Sequence, residues 1–123
     1  MLTETKVRRI DPDITVVEIG GRLTLGNTLV SIENSTKRLI DEGTRRMIID
    51  VAAVNAIDSS GIGFLVSCFA HMEQKGGNLR VSGAQASVAK VLRTAHIERI
   101  VPMDPDLETA RQSLPDWGIN GRA

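Results

Sequence analysis

Residues 58–63 read Asp58-Ser59-Ser60-Gly61-Ile62-Gly63, two adjacent hydroxyls behind a carboxylate and ahead of two glycines. Such a set could serve nucleophilic catalysis by a serine, phosphate cradling by a glycine loop, or recognition of a partner by an exposed tip. Nucleophilic catalysis needs a base, and His71 and His96 are the only histidines. The elbow that exposes a hydrolase serine is written G-x-S-x-G, and D-S-S-G-I-G lacks its first glycine. A helix starting at the serines carries His71 about three turns along, ~16 Å from the tip at 1.5 Å per residue. That distance removes His71 from a triad but leaves His96 open. Neither Gly20-Gly21 nor Gly61-Ile62-Gly63 completes a nucleotide-binding G-x-G-x-x-G after a strand or a G-x-x-x-x-G-K loop. Cys68 and His71 are i, i+3 neighbours, yet zinc takes three or four protein ligands and no further Cys or His cluster supplies them. A buried thiol beside a surface histidine is the plainer account, so no metal and no cofactor are expected.

Two readings of the motif remain. Asp58 or Ser59 can be a helix N-cap, worth about 1 kcal/mol, with the glycines as turn residues. Capping does not explain Gly-x-Gly in a first turn, where each glycine costs roughly 1 kcal/mol relative to alanine. A bare tip that lets another backbone approach closely does explain it.

The elements around the motif follow from periodicity. Thr5–Ile10 and Ile14–Ile19 alternate as strands about Asp11-Pro12-Asp13, a hairpin signal. Residues 27–42 carry apolar positions at 29, 32, 39 and 40, with Thr36 on the same helical face, and stop at Gly43. Arg46–Val51 has strand length, and Ala56-Ile57 returns the chain to the sheet. A second helix over Ser60–Lys75 puts Ile62, Leu65, Phe69 and Met72 on one stripe and ends at Gly76-Gly77. Asn78–Ser82 is a strand; Ser87–Ala95 is a helix with Val88, Val91 and Leu92 on its apolar face; Arg99–Met103 is a last strand; and Asp104-Pro105 opens a fourth helix by the cap-then-Pro rule. The order ββαβαβαβα predicts an α/β domain, its sheet mixed and mostly parallel with an antiparallel edge hairpin. The domain is expected over residues 1–113, with residues 114–123 a poorly ordered tail whose Trp117 rests on the domain.

Composition narrows the partners. The chain has 123 residues, one domain's worth, and its 15 basic and 15 acidic residues cancel. No strong field recruits nucleic acid or an anionic membrane, so a specific protein or small-molecule partner is expected. With two Phe, one Trp and no Tyr, stacking platforms for bases are not expected. The single cysteine, the absence of an apolar leader in MLTETKVRRI and the lack of a ~20-residue apolar run lead to an expectation of a cytoplasmic protein without membrane insertion. Balanced charge and the lack of an apolar surface stripe favour a monomer.

The D-S-S-G-I-G set at 58–63 lies between a strand ending Ile48-Ile49-Asp50-Val51 and a helix ending in Gly76-Gly77-Asn78-Leu79-Arg80-Val81, with Gly21-Arg22-Leu23 upstream. In this combination the chain closely resembles the STAS domain of bacterial anti-sigma factor antagonists, over about residues 5 to 113. The resemblance implies that the chain is not an enzyme but the substrate of one. Ser59 would be phosphorylated by an anti-sigma factor that is also a serine kinase, a phosphatase of the PP2C type would remove the phosphate, and only the unphosphorylated form would capture the anti-sigma factor and free a sigma factor. Asp58, Ser59, Ser60, Gly61, Ile62 and Gly63, with Arg22 and Thr24, would form the partner-binding surface; antagonists commonly carry Asp where Thr24 stands. In such a domain Gly61 and Gly63 keep the tip bare so that a kinase can bring ATP to Ser59. The alternative is a STAS adaptor that docks through the same tip without phosphorylation, in a signalling scaffold or a lipid-transport ATPase complex. A nucleotide or small-molecule sensor is the third reading, without a phosphate loop or aromatic box behind it.

Overall fold

Asp11-Pro12-Asp13 reverses the chain between β1 (Glu4–Ile10) and β2 (Ile14–Leu23), an antiparallel pair in which Ile10 faces Ile14 and Glu4 faces Gly20. Asp11 takes a φ of 51°, in the left-handed region that Asp tolerates better than most side chains. The computed structural model describes residues 3–115. From β2 the chain continues through α1 (Asn27–Asp41), β3 (Arg46–Ile57), α2 (Ser59–Gln74), β4 (Asn78–Ser82), α3 (Ala86–Thr94), β5 (Met103–Asp104) and α4 (Leu107–Ser113). The sheet order is β1-β2-β3-β4-β5, parallel from β2 onward. This is the expected mixed α/β sheet with one antiparallel edge.

Alternation along the strands divides two cores. Val17, Ile19, Met47, Ile49, Leu79 and Val81 face α1, α2 and α3, and Phe64, Leu65, Cys68 and Met72 of α2 are all buried against them. Ile14, Val16 and Ile48 point the other way, under Ala110 and Leu114 at the α4 end. Among the described residues no helix is long and apolar enough to cross a membrane.

Several expectations need correction. β3 is continuous: Ala52–Asn55 stay in the strand instead of leaving and returning, and β2 runs on to Leu23 through irregularities in its register with β3. The buried stripe of α2 is Gly61, Phe64, Leu65, Cys68 and Met72, one position round from the stripe read off the sequence, which leaves Ile62 and Phe69 half-buried. Val91 lies outside the α3 core face, 37% exposed. The last strand is confined to Met103–Asp104 instead of running over Arg99–Met103. Ile97–Arg99 is a 3-10 turn, and the amides of Ile100 and Val101 are spent on Ile97 O at 2.8 and 2.9 Å. Pro102 has no N–H to give to a ladder, so pairing begins only at Met103. Asp104 does not cap the fourth helix, because its carboxylate holds Arg80 at 2.6 Å; Asp106 caps it instead, accepting from Thr109 N at 2.7 Å. Leu114, the first residue of the expected tail, is 6% exposed and packs in the second core. Trp117 and the rest of that tail lie outside the described residues.

Candidate functional site

The parallel sheet carries the ends of β2 and β3 to the same edge, Arg22 opposite Ala56 and Leu23 opposite Ile57. The loop from β2 into α1 and the first turn of α2 therefore lie side by side, and Asp58 joins them. Its Oδ1 accepts from Ser60 N at 2.9 Å and Gly61 N at 3.0 Å, capping α2, while its Oδ2 accepts from Leu25 N at 3.0 Å across the gap. Asp58 N donates to Leu23 O at 3.4 Å. These backbone donors, Leu25 first and then Gly61, hold the carboxyl below its ordinary range, because they favour the charged form. Asp58 is thus committed to architecture: one side chain clamps the two segments that flank Ser59.

Ser59 is exposed at the tip, and neither its hydroxyl nor that of half-buried Ser60 bonds any described residue. A serine nucleophile is activated through a hydrogen bond to its base; here neither His96 nor any other described residue makes one. Cys68 and His71 do not converge either. Cys68 is fully buried, its thiol pushed up to about 12 chiefly by burial, whereas His71 Nε2 meets Asp41 Oδ1 at 2.7 Å on the surface. Among the described residues no group of three His, Cys, Asp or Glu is placed to hold a metal.

The two glycines of the motif differ. Gly61 is buried, and a Cβ there would meet Leu23 O at 2.1 Å, so its bareness is a packing requirement against β2 and not an open tip as expected. Gly63 is exposed with nothing within 4 Å of a Cβ, and it alone leaves the surface beside Ser59 open. Thr24 is half-buried and Arg22 exposed, so every residue expected at the tip is gathered at this edge.

The periodicity did not reveal the apolar surround. Leu25 is 79% exposed in the loop that Asp58 clamps. Ile62 forms, with Val91 and Lys90 of α3, a groove of about 330 Å³ beside the tip. A leucine between Thr24 and Gly26, outside any periodic segment, was the available signal for the first; Val91 looks like core because it follows the helical spacing of Val88.

The clamp has a testable pH signature. The Asp58 carboxyl is depressed in the folded state, so its contribution is present above the unfolded value of about 4 and is lost as pH falls through the folded value. Asp58→Asn turns one acceptor oxygen into a donor. Amide exchange at Leu25 should accelerate about tenfold for the lost hydrogen bond, and acid destabilisation below about pH 4 should be shallower than in the parent. Unchanged exchange at Leu25, Ser60 and Gly61 would remove the clamp.

Comparison with solved structures places the fold. An anti-sigma factor antagonist from Mycobacterium paratuberculosis is similar at 18% identity and a TM-score of 0.81, covering 94% of this chain and 96% of that one. RsbS from Moorella thermoacetica with a serine-to-glutamate substitution gives 19% identity and a TM-score of 0.77 over 97% and 98% of the two chains. The Bacillus cell fate determinant SpoIIAA in its phosphorylated form gives 18% identity and a TM-score of 0.69 over 89% and 97%. The STAS domain family model matches residues 5–110, which span β1 to α4 and include the whole Asp58-clamped edge; the chain belongs to the STAS domain family.

Proposed function

We propose that this protein is an anti-sigma factor antagonist: its unphosphorylated form captures an anti-sigma factor with serine kinase activity and so frees a sigma factor, and phosphorylation of Ser59 ends the capture. The observation that carries this is the exposed, unbonded Ser59 hydroxyl on an edge whose flanking loop and helix are clamped by Asp58. A protein kinase needs an accessible acceptor hydroxyl, and supplies the base, ATP and metal itself. The protein is then substrate rather than catalyst. Asp58 acts by positioning; Ser59, Ser60, Ile62 and Gly63, with Arg22 and Thr24, form the contact surface, and Leu25 and Val91 add apolar area to it. Gly61 takes part only through packing. A PP2C-type phosphatase resets the switch. The similar structures support the reading: one is an anti-sigma factor antagonist, one is phosphorylated, and one carries glutamate in place of a serine.

The test is to locate phosphate by mass spectrometry on protein from its own cells, before and after phosphatase treatment. Phosphate on Ser59, absent from Ser59→Ala, is the expected result. Labelling that persists in Ser59→Ala and disappears in Ser60→Ala would move the acceptor by one residue. A bare peptide across growth and stress conditions would replace the switch with a constitutive docking adaptor.

A further inference from the structure

β1 forms one margin of the sheet and pairs only with β2. Among the described residues its outer main-chain groups meet no backbone partner. The strand runs seven residues, and all but Ile10 are exposed. A row of unpaired N–H and C=O groups of this length is a template for another strand.

Register fixes what flanks that edge. Facing residues in an antiparallel ladder share a face. Thr5 stands opposite Ile19, Val7 opposite Val17 and Arg9 opposite Thr15, so these three lie on the side of the sheet that α1 covers. There Thr5 lines an open groove of about 400 Å³ with Thr28, Ser31, Ile32 and Ser35 of α1. Val7, next along the same face, is 53% exposed. Glu4, Lys6 and Arg8 lie on the other side. Arg8 Nε donates to Glu18 at 2.8 Å, whereas no carboxylate pairs with Lys6 or Arg9 among the described residues. The edge thus offers an aliphatic side chain, a hydroxyl-lined groove and an unpaired cation on each face.

Charge excludes one occupant and selects another. Antiparallel pairing of β1 with a second copy of itself along its whole length is centred on Val7 and sets Lys6 against Arg8 twice. Like charges directly opposite are destabilising. An acidic strand meets no such conflict. We infer that β1 is a docking edge for an extended acidic segment of a partner protein, added beside it as a sixth strand. Main-chain bonds to β1 supply the affinity, a small aliphatic or hydroxyl side chain enters the groove between β1 and α1, and carboxylates meet Lys6 and Arg9. Lys6 and Arg9 are three positions apart and on opposite faces, so the acids of the added strand are three positions apart as well.

The experiment is an NMR titration of the whole protein with a short blocked peptide of valine and threonine that carries two glutamates three positions apart. Saturable shifts centred on the amides of β1 and the first turns of α1 are expected. Two further versions of the peptide, N-methylated on alternate residues, separate strand addition from loose charge attraction. One set of amides points at β1 and the other away, so one version should bind about tenfold more weakly and the other nearly as well as the parent peptide. Replacing both glutamates by glutamine, or combining Lys6→Gln with Arg9→Gln in the protein, should weaken binding severalfold. Ser35→Lys, which adds a cation to the groove wall, should tighten it severalfold, an outcome that misfolding cannot imitate. Absence of saturable shifts, equal binding of the two methylated versions, or shifts centred away from β1 and α1 would overturn the docking edge. Shifts of the β1 amides that grow with protein concentration alone, accompanied by a dimer's mass, would give the edge to a second copy and overturn the acidic occupant. No anti-sigma factor enters the test, so its outcome is independent of the role proposed for Ser59.

Discussion

Ser59→Asp is expected to weaken binding of the anti-sigma factor by about a thousandfold while the domain melts within a few degrees of the parent; this rests on the proposed antagonist function. The interface effect is large because a carboxylate or phosphate closed into a packed contact is desolvated without a partner, a cost of several kcal/mol. At 1.4 kcal/mol per tenfold, ~4 kcal/mol is a factor approaching a thousand. The folded domain is spared because Ser59 is exposed and no described residue depends on its hydroxyl. A helix N-terminus favours an anion by ~0.3–1 kcal/mol, but at this tip Asp58 already occupies the amides of Ser60 and Gly61. The added charge therefore meets a like charge, and the two effects on stability oppose each other. Titration calorimetry with the purified kinase, alongside thermal melts, checks both halves. Ser59→Ala should bind within a few fold of the parent and take no phosphate. Binding of Ser59→Asp within tenfold of the parent would end the charge-exclusion account, even if Ser59 were found phosphorylated.

The same clamp would make the proposed switch local. Asp58 fixes Leu25 on one side and the start of α2 on the other, so Leu25 and Ser59 are held at a set spacing. A preorganised surface spends little ordering entropy on association. Its discrimination then rests on what is added at Ser59 rather than on a rearrangement.

The elements that run on local periodicity are legible in the amino-acid sequence itself: the 27–42 helix, the α2 segment and Asn78–Ser82 all form within a residue or so of the spacing that announces them. What stayed hidden depends on contacts between distant residues. Gly20-Gly21 and Ala52–Asn55 look like breaks, yet β2 and β3 absorb them as register irregularities in one long pair. Arg99–Met103 has strand composition, but a 3-10 turn claims its amides first. At the site, the residue types at 58–63 identified the edge. They did not reveal that Asp58 reaches Leu25, or that one glycine is a packing contact and the other an opening, because both facts depend on where β2 ends relative to α2.

That difference between the glycines carries the second large expectation. Gly61→Ala should lower stability by about 3 kcal/mol, a combination of the 1–3 kcal/mol typical of overpacking and about 1 kcal/mol for a hydrogen bond lost as the segments separate. A Cβ at Gly61 falls 2.1 Å from Leu23 O and 2.7 Å from Ile57 Cγ1. Because the nearer obstacle is backbone, no rotamer relieves it, and α2 can move away only by pulling on the Asp58 bonds to Leu23 and Leu25. For a domain of this size the loss corresponds to a fall in melting temperature of about 10 °C. Gly63→Ala is the matched control: nothing lies within 4 Å of its Cβ, so helix propensity should raise stability by up to ~1 kcal/mol, while the new methyl narrows the approach to Ser59 and weakens partner binding. Thermal melts of both variants decide the matter. Equal effects on stability would mean that the two glycines share one role; opposite signs would separate the glycine that holds the edge together from the one that leaves it open.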